Sequence, residues 1–256
     1  MNPRVVAPPR AGYTCAHNMR TSAVTGLLLV VTACGPNLSR LGVSSSITGV
    51  TLSGSVSDAL YKTRVSGVEV CVVEPAEQPC VRTNDVGEFS IPEVPKDARV
   101  LLRFIREGYY PNFAEYTTHQ ADEFLTYALA SEDVGLFVAN LAGVTHDDAN
   151  GIVIFGARSG KGPEASNVTE VSVALDPEGG DGPFYATESG FDENATSTTS
   201  VGGGSIFNVA PGTYRLRYTH PARTCEPYYA WSAGEPGVIE VKVQAGFSTY
   251  VSQICP

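Results

Sequence analysis

Ser66-Gly67-Val68-Glu69-Val70-Cys71, followed by Thr83-Asn84-Asp85-Val86-Gly87-Glu88-Phe89-Ser90-Ile91-Pro92-Glu93-Val94-Pro95, is the stretch from which the fold is read. Val68, Val70 and Val72 alternate with Glu69, Cys71 and Val73, the period of a strand with one buried and one wet face. In Asn84-Asp85-Val86-Gly87, Asn and Asp can bond back to the backbone and glycine accepts positive φ, so the chain reverses tightly into a second short strand. The same alternation recurs at Tyr214, Leu216 and Tyr218, and again at Ile239, Val241 and Val243. Gly and Pro punctuate these runs at short intervals, the habit of antiparallel sandwiches.

Thr83, Gly87, Ser90, Ile91 and Val94 recur at a constant offset as Thr198, Gly202, Ser205, Ile206 and Val209. In each copy a strand ends in Thr and meets a Gly-bearing turn; a short strand and a proline follow (Pro95, Pro211), which points to a duplication. The first copy resembles the carboxypeptidase regulatory-like domain. That family's pattern is a "G-V-x-V" strand, then "T-x-x-x-G-x-F-x-I-x-x-V-P", a strand, and "x-G-Y", the last supplied here by Gly108-Tyr109. The resemblance implies a prealbumin-like (transthyretin-like) β-sandwich. Residues 197–218 are similar to a second, more divergent copy. Lys96-Asp97-Ala98 replaces the family's "P-G-x-Y" in the first copy; the second has Gly204 where the pattern has an aromatic, and an insertion from Asp176 to Ser197. Such a motif bears on fold and says little about activity.

Ser131-Glu132-Asp133 opens the one helix the sequence predicts. Val134, Phe137, Val138 and Leu141 share a helical face, acids occupy the first turn, and Gly143 is placed to end it. The fold expected is therefore all-β: two tandem antiparallel prealbumin-like sandwiches at 47–130 and 150–256, joined by a helical linker at 131–149.

Upstream, Leu27-Leu28-Leu29-Val30-Val31-Thr32-Ala33-Cys34 resembles the lipobox of bacterial lipoprotein signal peptides. The apolar run from Ala23 to Ala33 is too short to span a bilayer, which needs roughly 20 apolar residues, and has the length of a signal-peptide core with Arg20 as its positive flank. The residues before Met19 fit no signal-peptide region, so Met19 is the expected start. The resemblance implies cleavage after residue 33, lipid on Cys34, and residues 34–46 as a flexible tether. By analogy with lipoprotein sorting in Gram-negative cells, Gly35 after the cysteine favours the outer membrane.

The chain carries 17 Lys and Arg against 27 Asp and Glu, a net charge of −10. Loss of residues 1–33 removes three arginines and no acid and leaves −13. Such a surface repels phosphate backbones and argues against nucleic-acid binding. Besides Cys15 and Cys34, four cysteines remain, and they allow three pairings. Spacing favours Cys71–Cys80 and Cys225–Cys255, each within one domain, and an exported protein permits both.

Catalytic signatures are sparse. Gly156-Ala157-Arg158-Ser159-Gly160-Lys161-Gly162 is one residue short of a phosphate-binding loop and ends in Gly where Ser or Thr would ligate magnesium, so it reads as a strand-connecting turn. His119, His146 and His220 stand singly in loops and read as surface residues rather than ligands. No enzyme activity and no cofactor are expected. Asp176, Glu178 and Asp181 are weak calcium candidates that do not match the regular twelve-residue loop. The sharper candidates are aromatic: Tyr228, Tyr229 and Trp231, with Phe184 and Tyr185 of the insertion, as a rim on which sugar rings stack, against their ordinary use in packing. The function expected is a non-catalytic, lipid-anchored envelope module for binding or adhesion, with a polysaccharide or envelope protein as partner. The alternatives are a structural spacer or assembly subunit of an envelope complex, or an accessory to a partner peptidase.

Overall fold

Thr83 and Thr198 show how the sequence repeat becomes a structural one. The Thr83 hydroxyl donates to Val65 O (2.8 Å) and accepts from Val68 N (2.9 Å); the Thr198 hydroxyl donates to Val168 O (2.8 Å) and accepts from Val171 N (3.0 Å). Between the first and fourth residues after each threonine, the turns close identically. Gly87 N reaches Asn84 O and Gly202 N reaches Thr199 O, both at 2.9 Å, with φ of 73° and 69°. Positive φ is why glycine stands at both sites.

The computed structural model describes residues 49–162, 164–192 and 194–256. The segments expected to be signal peptide and tether, with Met19 and Cys34, lie outside them, as does Glu193. Around each threonine the same strands assemble. In the first sandwich β1 (Val50–Asp58) is central to β4 (Glu88–Val94) and β7 (Glu123–Leu129). Against it lie β3 (Val81–Arg82), β2 (Glu69–Glu74), β5 (Arg99–Ile105) and β6 (Asn112–Thr117), in that order. In the second, β8 (Gly151–Arg158) lies between β12 (Gly203–Val209) and β17 (Ser248–Ile254), facing β9 (Ser172–Asp176), β13 (Gly212–Thr219) and β16 (Val238–Val243). β1 pairs with β7 in parallel, as β8 does with β17. Period-two patterning cannot distinguish these from antiparallel pairs. Both sheets of each sandwich feed its core: Leu52, Phe104 and Leu129 in one, Phe155, Leu216 and Ile239 in the other.

The insertion adds a hairpin, β10 (Asp181–Thr187) and β11 (Gly190–Asp192), to the β12 edge. Gly204 is glycine because a Cβ there would lie 2.1 Å from Phe184 O and 2.5 Å from the Phe155 ring, so the family's aromatic has no room. β14 (Glu226–Tyr229) pairs with β17, and β15 (Trp231–Ser232) with β16.

The two sandwiches share one sheet, because β17 also pairs in parallel with β6: Ser248 with Asn112, Thr249 with Phe113, Tyr250 with Ala114. Side chains reinforce the joint. The Trp231 indole N–H donates to Val100 O (3.2 Å) and Tyr116 O (3.0 Å), and Asn112 Nδ2 donates to Ser248 Oγ (2.7 Å). Glu115 of β6, fully buried, accepts from Lys242 N at 2.5 Å.

The helix α1 (Glu132–Leu141) starts where expected, with the Ser131 hydroxyl accepting from Val134 N. Its packed face differs from the sequence reading. Ala139 is buried and Gly135 and Val138 half-buried, whereas Phe137 is 59 % and Leu141 43 % exposed. Gly135 faces Tyr110, whose ring an added Cβ would meet at 3.5 Å, an ordinary contact distance. Both disulfides, Cys71–Cys80 and Cys225–Cys255, are formed. Among the described residues no helix is long and apolar enough to cross a membrane.

Candidate functional site

The aromatic residues singled out in the sequence do not form one platform. Trp231 is 4 % and Tyr185 3 % exposed. The indole is consumed in joining the sandwiches. The Tyr185 hydroxyl accepts from Val173 N (2.9 Å) across the second core. Phe184 packs against Phe191 and Phe207 beneath α1, at 5.9 Å from each ring. Alternation separates the last two, for Tyr185 and Phe184 are neighbours on one strand and face opposite sides of the sheet, one into the second core and the other toward the helix.

Tyr228 and Tyr229 have a different setting. β14 carries them from the second sandwich to β7, an edge strand of the first. The Tyr229 hydroxyl accepts from Thr126 N (3.2 Å) and donates to Thr126 O (3.1 Å), occupying backbone groups that an edge strand leaves open. Burial drives its hydroxyl pKa well up, keeping the neutral form that such a dual role needs. Tyr228, half-buried, tilts against Tyr229 with ring centroids 4.5 Å apart, and Lys161 Nζ stands 5.8 Å over its ring.

These residues border a cleft of about 490 Å³, walled by Tyr127, Tyr228, Tyr229, Tyr250, Thr126 and Arg158 among others. That volume falls within the range of ligand pockets, about 300–1,000 Å³. Arg158 ends β8, and its Nη2 donates to Gly162 O (3.3 Å) and Ala165 O (2.8 Å), folding the 159–165 turn back over the strand end. Ser159 and Ser166 pin the turn through Ser166 N to Ser159 Oγ (3.0 Å). This is the turn set aside as a failed phosphate loop. Arg158 lines the cleft and Lys161 stands over the Tyr228 ring, and the readable signal is two cations close together in an acidic chain.

The remaining candidates fall elsewhere. Asp181 Oδ2 accepts from Asn208 Nδ2 (2.7 Å). Asp176, Glu178 and Asp181 are not gathered into a ligand set; among the described residues the one cluster of three candidate donors is Glu69, Cys71 and Cys80, whose sulfurs are joined to each other. His146 corrects the surface reading, for its side chain is only 6 % exposed. Its Nε2 lies 2.6 Å from the Tyr110 hydroxyl and 3.2 Å from Asp148 Oδ1. Both partners meet the same ring nitrogen, so the imidazole cannot pass a proton from one face to the other as a relay requires. Tyr110 is pushed up to about 12, chiefly by burial, so the phenol is no ready base.

No protein-family profile matches the chain, and no curated protein does. Among solved structures, the minor pilin GBS52 of Streptococcus agalactiae is 11 % identical, with 81 % of this chain and 97 % of that one aligned, at a TM-score of 0.27. The shaft pilin SpaA of Lactobacillus rhamnosus GG is 13 % identical over 82 % and 99 % of the two chains, TM-score 0.25. A protein of Bacteroides uniformis, provisionally described as carbohydrate binding, is 12 % identical over 76 % and 97 %, TM-score 0.29. At such scores the residues of this chain alone carry the reading that follows.

Proposed function

We propose that the protein is a non-catalytic envelope lipoprotein whose junction cleft binds carbohydrate. The observation that carries this reading is the cleft itself, with the half-buried ring of Tyr228 at its wall and buried tyrosines behind it. An aromatic face over a partly polar floor suits a sugar ring, which offers C–H groups on one side and hydroxyls at its edge. In this reading residues 47–130 and 150–256 are the two sandwich units, 131–149 their linker, and the lipid on Cys34 the tie to the membrane. Calorimetric titration with a panel of cell-wall and storage polysaccharides tests it. Binding to at least one, weakened about tenfold or more by Tyr228→Ala with the melting temperature unchanged, is the expected result. Silence across the panel would sink it. The anchor is checked separately: radioactive palmitate should label the wild type and not Cys34→Ser.

A second reading, an assembly subunit, has one observation in its favour. Leu60, Tyr61 and Val86 are exposed near the end of β1, and Leu136, Phe137 and Leu141 are exposed on the helix that follows β7. The turn carrying Val86 reaches that end through Val56 N to Gly87 O (2.8 Å). Mass measured by light scattering across concentrations decides it, a strictly monomeric protein arguing against this alternative.

A further inference from the structure

We infer that the cleft selects an acidic sugar, with Arg158 and Lys161 meeting its carboxylate; this deepens the carbohydrate reading above and rests on it. The first support is a local reversal of charge. The chain has ten more acids than bases, yet no carboxylate lines the cleft, while Arg158 forms part of its wall and Lys161 overhangs Tyr228. A positive pair in a negative chain is where an anion is steered and held.

The second support is the placement of Arg158. Its Nη2 is committed to the Gly162 and Ala165 carbonyls, which fixes the guanidinium at the cleft wall. A full charge held there favours a carboxylate, whose charge-assisted hydrogen bonds are roughly twice as strong as those to a neutral hydroxyl. Lys161 contributes differently. It is exposed on a long flexible stem and already spends its charge against the Tyr228 ring, so a ligand sliding over that ring brings its carboxylate within reach of the ammonium. Coulomb attraction then adds to stacking at one subsite.

The test titrates the full chain with oligomers of hexuronic acids (tetragalacturonate, tetramannuronate and a glucuronate-containing tetrasaccharide) and with their methyl esters, which cap each carboxylate with a methyl group and remove its charge. Tighter binding of at least one acid than of its ester, by roughly tenfold at low salt and much less near 1 M salt, is expected. Lys161→Ala should remove part of that preference and Arg158→Gln nearly all of it, read as the ratio of acid to ester affinity within each variant. Equal affinity for acid and ester, or a preference indifferent to both variants, overturns the charge selection and leaves the cleft reading standing. Binding of neither form overturns both.

Discussion

The first sandwich builds its core from β1 to β7 with little added, whereas the second carries the β10–β11 hairpin and the β14–β15 segment on the same wiring. What the copies keep is backbone work: a threonine that closes a loop and a glycine that turns. What the second copy adds is directed at the first. β14 and β15 deliver Tyr229 to the β7 edge and Trp231 to the β5–β6 carbonyls, and β17 completes the edge of β6. A duplicated fold here gained a joint by decorating one copy and leaving the other plain.

The comparison breaks most sharply at Trp231. Replacing it with Ala empties a buried ring site and orphans two carbonyls, at about 3–5 kcal/mol. Hydrogen exchange should rise in β5 and β6 as well as in the second sandwich; protection lost in the second alone would mean the copies are energetically separate.

Glu115 comes next. Burial pushes its pKa up to about 8, from an ordinary value near 4.5. The folded state thus holds a proton that the unfolded chain releases, and stability falls as pH rises between those two values. Each unit corresponds to about 1.4 kcal/mol, so the loss is a few kcal/mol. Glu115→Gln keeps an acceptor for Lys242 N without the charge. Denaturant unfolding at pH 5, 7 and 9 should show its advantage growing with pH, and a parallel pair of curves would refute the burial argument.

Thr83→Val and Thr198→Val sharpen the likeness of the copies. Each strands a buried amide, Val68 N or Val171 N, and should cost about 1–3 kcal/mol. Near-equal losses are expected; a several-fold difference would mean the shared geometry is not shared energy. The smallest effect is on α1, where Phe137→Ser should change stability by less than about 0.5 kcal/mol, as for exposed sites generally.

Much of this was legible in the sequence. The Thr–Gly repeat located both turns, period-two runs located the principal strands, and spacing named both disulfides. Three things were hidden, each for a physical reason. Parallel and antiparallel partners share one alternation, so the pairing of β17 with β6 and β8 left no mark. The helix face is hidden because Phe137 and Leu141 look like core yet are exposed, while Ala139, the buried residue of the helix, is too small to stand out. The cleft was half visible: Tyr228 and Tyr229 were noticed, but Arg158 and Lys161 were judged by a phosphate-loop template, and their meeting with the tyrosines is a property of tertiary placement. Trp231 was read for its ring when its N–H mattered as much.

The β6–β17 joint has a consequence for how the chain is made. Ribosomes deliver β6 long before β17, and during that interval the nascent first sandwich presents an unzipped border and an empty slot for an indole. A polypeptide stalled or clipped ahead of residue 248 would keep that border bare, sticky toward any extended neighbour. Chaperoned delivery of the whole chain, rather than piecemeal maturation, is what such wiring rewards.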